Sequence, residues 1–247
     1  ESLNEESIAK ITPTINNTFK HAFLSHEWGK VTEPVDIVKN LSNEAQKGGV
    51  VFYKNHVERI SESLKSVLIE AENGSFQYDA VIIAAGIDSI SFAKSLGDFL
   101  PMTAERGYNL TLPSPNIQIE IPIVFADRGI VATSLRSGLR IGGWAEYANP
   151  MRPANQAYFD SIARISQELF PGLDVEGANY WMASRPSMPD SLPVISRSQK
   201  LDRVFYNCGH GHYGLTHAAT SAKLVCDLLT NNQNLSVSSL FSINRFL

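Results

Sequence analysis

The stretch that decides the fold is VFYNCGHGHYGLTHAATSAKLVCDLL, residues 204–229. It opens with a strand predicted at residues 204–207, of which the first three are apolar or aromatic residues of the type that forms a buried strand. Three glycines follow at Gly209, Gly211 and Gly214. From Leu215 onward, apolar residues recur with helical spacing. The stretch therefore predicts a strand, a glycine-rich turn and a helix that ends near Leu229.

A second apolar segment, DAVIIAAG at residues 79–86, is the strongest strand candidate in the chain. Its residues are apolar on both faces, as in a central strand of a parallel sheet. The segment ends in small residues, which allow a ligand or a neighbouring backbone to come close. It therefore predicts a central parallel strand.

Weaker patterns fill the region before this strand, after thirty residues with no clear pattern. We expect a helix from Val35 to Ala45, with Asp36 as its cap and Gly48-Gly49 as its end. A short buried strand is expected at residues 50–53. Two further strands are expected at 57–60 and 67–70, and Asn73-Gly74, between Glu70 and Phe76, is a hairpin turn signal.

The middle of the chain changes character. Four β-rich segments broken by Pro and Gly predict an antiparallel sheet, and they lie at residues 108–112, 121–125, 130–133 and 139–143. An amphipathic helix is predicted over residues 154–170, closed by Pro171-Gly172, and one more strand over 179–184. The expected fold class is thus α/β combined with an α+β antiparallel part.

The composition excludes several classes of protein. Of the 247 residues, 43% are hydrophobic and 19% are charged, which rules out a disordered, collagen-like or coiled-coil chain. The net charge is −4 without a run of Lys or Arg, so a nucleic-acid partner is not expected. The longest apolar stretch, residues 80–87, is too short to cross a bilayer. Two cysteines, Cys208 and Cys226, indicate neither a disulfide framework nor a metal motif, and favour a cytoplasmic location.

The glycine turn has two interpretations that need no further context. Gly209, Gly211 and Gly214 match the dinucleotide fingerprint G-x-G-x-x-G, and free N–H groups at a helix start attract anions. However, no acidic residue follows Asp227, so the carboxylate that holds a ribose about 20 residues further on is absent. The alternative is a structural turn that binds nothing.

Four segments in chain order resemble a known family. They are YDAVIIAAGIDS at 78–89, RGYNLTLP at 106–113, LRIGGWAE at 139–146, and the region 185–216, which begins with RPSMPD and ends with GHGHYGLT. The resemblance is to FAD-dependent amino-acid oxidoreductases of the D-amino-acid dehydrogenase, glycine oxidase and sarcosine oxidase group, above all the D-amino-acid dehydrogenase small subunit. It extends from about Pro34 to Leu229.

This resemblance implies an architecture. Residues 34–100 and 186–232 would form a partial Rossmann-like FAD-binding domain, interleaved with an antiparallel-sheet substrate domain of residues 1–33 and 101–185. The family begins with a strand, a G-x-G-x-x-G turn and a helix that hold the FAD pyrophosphate. Nothing before Pro34 resembles that unit. The chain is therefore expected to be a fragment or subunit that binds FAD weakly or not at all by itself.

The resemblance also implies a reaction and its residues. A hydride would pass from the α-carbon of a small amino acid, expected to be a D-amino acid, to FAD, and water would hydrolyse the imine to a 2-oxo acid and ammonia. Arg185 matches the family's arginine for the substrate carboxylate, and a guanidinium suits a carboxylate bidentately. A structural salt bridge is the alternative role. The expected cofactor-binding residues are Ala85, Gly86, Gly209, His210, Gly211, Gly214, Leu215 and Thr216.

Three further side chains are substrate-binding candidates beside Arg185. Tyr108 and Trp144 would line the substrate site, although aromatic residues are as often part of a core. His210 would line it as well. The spacing of His210, His212 and His217 invites a metal hypothesis, but an H-x-H pair in a flexible turn without carboxylate or Cys partners favours no metal.

The expected partners follow from the same resemblance. They are a small amino-acid substrate, and a membrane respiratory chain reached from the inner face of the plasma membrane or a second copy in a homodimer. A hypothesis from another class stays open: a non-catalytic binding module that keeps the fold without the cofactor.

Overall fold

The computed structural model describes residues 1–231 and 239–246. The elements of these residues are, in chain order, β1 (Ser2–Asn4), α1 (Glu5–Ile11), β2 (His21–Phe23), α2 (Pro34–Lys47), β3 (Val57–Glu62), β4 (Val67–Ala71), β5 (Gly74–Tyr78), β6 (Val81–Ile83), α3 (Ser89–Leu96), β7 (Thr103–Leu112), β8 (Ile123–Phe125), β9 (Ile130–Leu135), β10 (Gly138–Tyr147), α4 (Gln156–Leu169), β11 (Asn179–Ser187), β12 (Val194–Arg197), β13 (Val204–Cys208) and α5 (Gly214–Leu229). Short 3₁₀ turns lie at Gly86–Asp88, Gly211–Tyr213 and Ile243–Phe246.

The chain divides into two compact units, each built from three segments. Unit 1 is Glu1–Phe52, Gly107–Ala145 and Pro153–Ala183. Unit 2 is Tyr53–Arg106, Glu146–Arg152 and Ser184–Leu247. Residues 34–52, which the sequence assigned to the FAD-binding part, group with unit 1. In the part of the chain that the structure describes, we find no helix that is both long and apolar enough to cross a bilayer.

Unit 1 is centred on the predicted antiparallel sheet. The sheet has five strands in the order β11-β7-β10-β9-β8, and β9 pairs antiparallel with both β8 and β10. Helix α4 buries its apolar stripe, including Phe159, Ile162 and Leu169, in one core with sheet residues such as Leu110 and Ile141. The side chain of Asn155 caps this helix by accepting a hydrogen bond from the Ala157 N–H. The predicted sheet and helix are confirmed, because periodicity and caps are local signals.

Unit 2 contains the predicted strand, turn and helix. A three-stranded sheet has the order β12-β13-β6, with β13 parallel to β6 and antiparallel to β12. Helix α5 packs Val225 against Ile195 and Phe205 of this sheet. A separate antiparallel meander of β3, β4 and β5 includes the predicted hairpin at Asn73-Gly74. The strand–turn–helix prediction for residues 204–229 is confirmed.

Three local predictions were wrong. The strand predicted at 79–86 is shorter in the structure, where it is β6, Val81–Ile83. Among the described residues β6 pairs with β13 alone, so it lies at the edge of its sheet and not at its centre. Residues 50–53 form no strand and are exposed, Val51 by 65%, because no described strand pairs with them. Asp36 does not cap α2, which Pro34 begins; its carboxylate lies 2.8 Å from Arg136 Nη2 instead. Elements β1, α1, β2, α3 and β12 were not predicted.

A buried carboxylate ties the end of α3 to the sheet of unit 2. Asp98 Oδ2 accepts hydrogen bonds from Ser198 Oγ at 2.6 Å and from the Tyr206 hydroxyl at 2.8 Å, and its Oδ1 accepts one from the Gln199 N–H at 3.1 Å. Tyr206 is fully buried. Burial, followed by the bond to Asp98, raises the pKa of this tyrosine far above its usual value, so the hydroxyl stays a donor.

Removal of this carboxylate should destabilise unit 2. We expect Asp98→Ala to lower the free energy of unfolding by about 2–4 kcal/mol, because two buried hydroxyl donors lose their acceptor. Tyr206→Phe should cost less, about 1 kcal/mol, since it removes one donor of three. Urea denaturation measures both, with Asp202→Ala at an exposed carboxylate of the same unit as the control. An Asp98→Ala protein as stable as the control would contradict the prediction.

Candidate functional site

Two glycine turns leave the same edge of the unit 2 sheet. Strands β6 and β13 are parallel, with Ile83 opposite Tyr206. Gly86 lies three residues after Ile83, and Gly209 lies three residues after Tyr206. Both turns therefore begin beyond the carboxyl ends of their strands. In open α/β sheets, ligands bind at this edge. The structure therefore brings the predicted Ala85-Gly86 segment and the predicted 209–214 turn to one edge.

The glycines of the 209–214 turn are required for different reasons. Gly209 has φ +77°, and a Cβ there would lie 2.7 Å from Cγ of Met188, which is buried. Gly211 has φ +53°, but its Cβ would meet only Ser187 Oγ at an ordinary 3.5 Å. Both backbones lie in the left-handed region that side chains other than glycine rarely adopt. Gly209 is thus required by packing as well as by conformation, and Gly211 by conformation.

The 209–214 turn leads directly into helix α5, whose first turn is exposed. Helix α5 begins at Gly214 without a side-chain cap, and Leu215 and Thr216 in its first turn are exposed. The first N–H groups of a helix carry a partial positive charge and attract anions or electron-rich ligand edges. The exposed start of this 16-residue helix, beside two glycine turns, suits a ligand with negative or electron-rich groups.

Arg185 is part of a compact polar cluster. It lies on β11 two residues before Ser187, and both face Glu105 on the neighbouring strand β7. Arg185 Nη1 donates to Glu105 Oε1 at 3.3 Å, and Ser187 Oγ donates to Oε2 at 2.7 Å. His212 Nε2, from the glycine turn, is hydrogen-bonded to Oε1. The cluster thus joins two strands and the turn.

Glu105 is held as an anion. Burial raises the pKa of this carboxyl, but the hydrogen bonds from Ser187 and His212, together with the charges of His212 and Arg185, lower it by more. The net effect is a lowered pKa, so Glu105 is ionised at neutral pH. The side chain of Glu105 is only 8% exposed, whereas that of Arg185 is 24% exposed. The bond to Glu105 uses one donor of a guanidinium that has five, and the rest of Arg185 is reachable in part.

The three histidines of this region have separate partners. His210 Nε2 lies 2.9 Å from Oγ of Ser221, a buried residue of α5. Burial lowers the pKa of His210, as does the nearby charge of His217, so His210 is neutral at neutral pH. His217 stacks on Tyr213 with ring centroids 5.6 Å apart. Within residues 1–231 and 239–246, no group of three or more His, Cys, Asp or Glu side chains is placed to hold a metal ion.

The two aromatic candidates lie in unit 1. Tyr108 is fully buried, stacks on Tyr158 at 4.6 Å, and accepts a hydrogen bond from the Asn155 N–H at 3.1 Å. A side chain with these contacts builds the core, which corrects its expected role in a substrate site. Trp144 is half-buried, and its Nε1 donates to the Arg128 carbonyl at 2.7 Å.

Sequence reasoning missed Glu105, and it passed over Ser187 and His212 as binding residues. The signals were present but weak. Glu105 stands directly before the RGYNLTLP segment, and Arg185 and Ser187 have the i, i+2 spacing that places two strand residues on one face. A carboxylate at such a position is unremarkable until the strand that faces it is known.

Comparison with known proteins gives a consistent result. Residues 1–228 match the family model described as FAD dependent oxidoreductase. A D-amino-acid oxidase of Bradyrhizobium diazoefficiens is 30% identical over 250 residues, 99% of this chain and 59% of that protein. A D-amino acid dehydrogenase of Neisseria meningitidis serogroup C is 32% identical over 213 residues, 84% of this chain and 51% of that protein. The chain thus spans between half and three-fifths of these curated relatives.

Solved structures share the fold. Glycine oxidase from Geobacillus kaustophilus superposes with a TM-score of 0.88 at 21% identity, covering 100% of this chain and 67% of that one. L-proline dehydrogenase from P. horikoshii gives a TM-score of 0.83 at 16% identity, covering 100% and 68%. These likenesses confirm the predicted fold class, a mixed α/β chain with an antiparallel sheet.

Proposed function

Because this chain belongs to the family of FAD dependent oxidoreductases, we propose that it is part of an enzyme that oxidatively deaminates a small D-amino acid. The names of the curated relatives, D-amino-acid oxidase and D-amino acid dehydrogenase, support this substrate class. The observation that carries the proposal is the position of Arg185. It is a partly exposed cation, fixed by a buried carboxylate that also holds the glycine turn.

The residues at the carboxyl edge of the unit 2 sheet fit FAD. The uncapped start of α5 offers N–H donors, and Gly211 leaves open the space that a Cβ would fill. We propose that FAD is held there by Ala85, Gly86, Gly209, His210, Gly211, Gly214, Leu215 and Thr216. When bound, the flavin supplies the acceptor for the hydride of the substrate α-carbon. The positive end of α5 would stabilise negative charge at the flavin edge it faces.

Substrate binding is assigned to fewer residues than the sequence suggested. Arg185 binds the α-carboxylate through the donors that Glu105 leaves available. The neutral His210 and the half-buried Trp144 remain proposed substrate-binding residues, and Tyr108 is withdrawn because it is fully buried. Water then hydrolyses the imine product to a 2-oxo acid and ammonia.

The division of labour between the units is part of the proposal. Unit 2 contains every proposed cofactor residue and Arg185, and unit 1 contains Trp144. We propose further that the protein passes electrons to a membrane respiratory chain from the cytoplasmic face, which the word dehydrogenase in the relatives' names supports.

The edge position of β6 supports a homodimer as the alternative partner.

Anaerobic reduction of the bound flavin tests the proposal. The flavin-loaded protein is mixed with D-alanine, and with L-alanine as the control, while the visible absorbance is followed. We expect bleaching with the D-enantiomer, together with one ammonia and one 2-oxo acid per flavin. A chain that takes up no flavin would instead favour the non-catalytic binding module, for which the Arg185–Glu105 salt bridge would be purely structural. A bound flavin that no small amino acid reduces would contradict the proposed substrate class.

A further inference from the structure

Glu105 places a negative charge directly beside the cation proposed to bind the substrate. Its Oε1 is shared by Arg185 and His212, and its Oε2 accepts a hydrogen bond from Ser187. A carboxylate has about four lone-pair sites, so these three donors leave one acceptor site, on Oε2. An anion with an available acceptor site therefore lies next to a cation with available donors.

The charges of this cluster cancel when the imidazole of His212 is neutral, as histidine side chains ordinarily are at pH 8.5. Arg185 contributes +1 and Glu105 contributes −1, and His212 must carry its proton on Nε2, because an ionised carboxylate only accepts. With a neutral imidazole, the sum is zero. Arg106, the next residue after Glu105, leaves this sum unchanged because it is buried and paired with Glu146 at 3.1 Å.

Charge cancellation determines which ligands the cluster can accept. A simple carboxylate would bring a second negative charge to Arg185 and leave it uncompensated beside a largely buried Glu105, which is costly. An amino acid also carries an ammonium group, with which the Glu105 carboxylate can pair. Its carboxylate would face Arg185 and its ammonium would face Glu105, so that both charges are paired.

We infer that Glu105 is the specificity-determining residue that makes this site select a zwitterion, an amino acid, over a 2-hydroxy acid of the same shape. The inference rests on the proposed function, since it takes Arg185 as the carboxylate ligand. It adds the recognition of the amino group, which Arg185 alone does not provide.

The test compares D-alanine with D-lactate. The two ligands share one carbon skeleton, but the α-carbon carries an amino group in D-alanine and a hydroxyl group in D-lactate. Each is titrated into the full chain at pH 8.5, where histidine side chains are ordinarily neutral. The NMR signals of the Arg185 and His212 side chains report the dissociation constants, and neither flavin nor turnover is needed. We expect wild type to prefer D-alanine. In Glu105→Gln, this preference should fall by about 10- to 100-fold, mainly because D-lactate binds more tightly.

Glu62→Gln is the matched control. Glu62 is a carboxylate of the same unit that accepts hydrogen bonds from the N–H groups of Asp202 and Arg203, away from the cluster. Its neutralisation should leave the preference unchanged. Glu105→Asp, which keeps the charge, should retain part of the preference.

The outcomes separate this inference from the proposed function. A wild-type chain that binds both ligands equally overturns the inference without any variant, as does a preference that Glu105→Gln leaves intact. In either case, loss of binding in Arg185→Ala would still support Arg185 as the carboxylate ligand. If Arg185→Ala leaves both affinities unchanged, the proposed substrate site itself fails.

Discussion

Arg185→Ala is expected to lower kcat/KM for amino acids by roughly 30- to several-thousand-fold in the flavin-loaded protein. Removal of one partner of a desolvated charge pair typically costs about 2–5 kcal/mol, largely because the other charge is left without a counter-ion. Here, that other charge is the substrate carboxylate. Arg185→Lys should recover only part of the loss, because an ammonium keeps the charge but not the planar fork. Steady-state turnover with an artificial electron acceptor measures the effect.

Arg185→Ala is expected to change the stability of the protein as well as its turnover, and a double variant separates the two effects. Arg185 also neutralises Glu105, so Arg185→Ala leaves that buried carboxylate with only Ser187 and His212 as partners. Some loss of stability should accompany the loss of turnover. The double variant Arg185→Ala/Glu105→Gln removes both charges and should regain stability but not turnover. If turnover of amines without a carboxylate falls as far as turnover of amino acids, Arg185 is a structural salt-bridge residue.

Gly211→Val is expected to displace the flavin while the fold stays largely intact. The added Cβ would lie 3.5 Å from Ser187 Oγ, an ordinary contact, so the known cost within the chain itself is the strain of a side chain at φ +53°. It fills the space at the carboxyl edge where we place FAD, and overpacking of this kind costs about 1–3 kcal/mol. That corresponds to a dissociation constant for FAD that is about 5- to 150-fold larger. Visible absorbance after dialysis against known FAD concentrations measures it.

Two other glycines serve as controls for Gly211→Val. Gly177 has φ +73° and open space around it, so Gly177→Val carries the same backbone strain away from the proposed site and should keep its flavin. Gly209→Ala should unfold the protein more easily, because its Cβ meets the buried Met188 at 2.7 Å. Unchanged flavin content and activity in Gly211→Val would show that the turn is only structural.

The sequence by itself determined the elements whose signals are local. The strand, turn and helix of residues 204–229 and the amphipathic helix α4 follow from the spacing of apolar residues and from turn residues, all within one segment. The resemblance carried by four ordered segments led to the family. Two predictions that depended on a pairing partner failed, the strand at residues 50–53 and the central position of β6.

The tertiary structure alone decided the environment of the proposed site. Glu105 is 80 residues from Arg185 and 107 from His212 along the chain, and no spacing rule connects them. They meet because β7 and β11 are neighbours in one sheet and because the turn after β13 brings His212 to the same carboxylate. In the same way, Tyr108 became a core residue when α4 packed on the sheet. Charge pairing and burial depend on which segments are adjacent in space, and a sequence pattern records only which are adjacent along the chain.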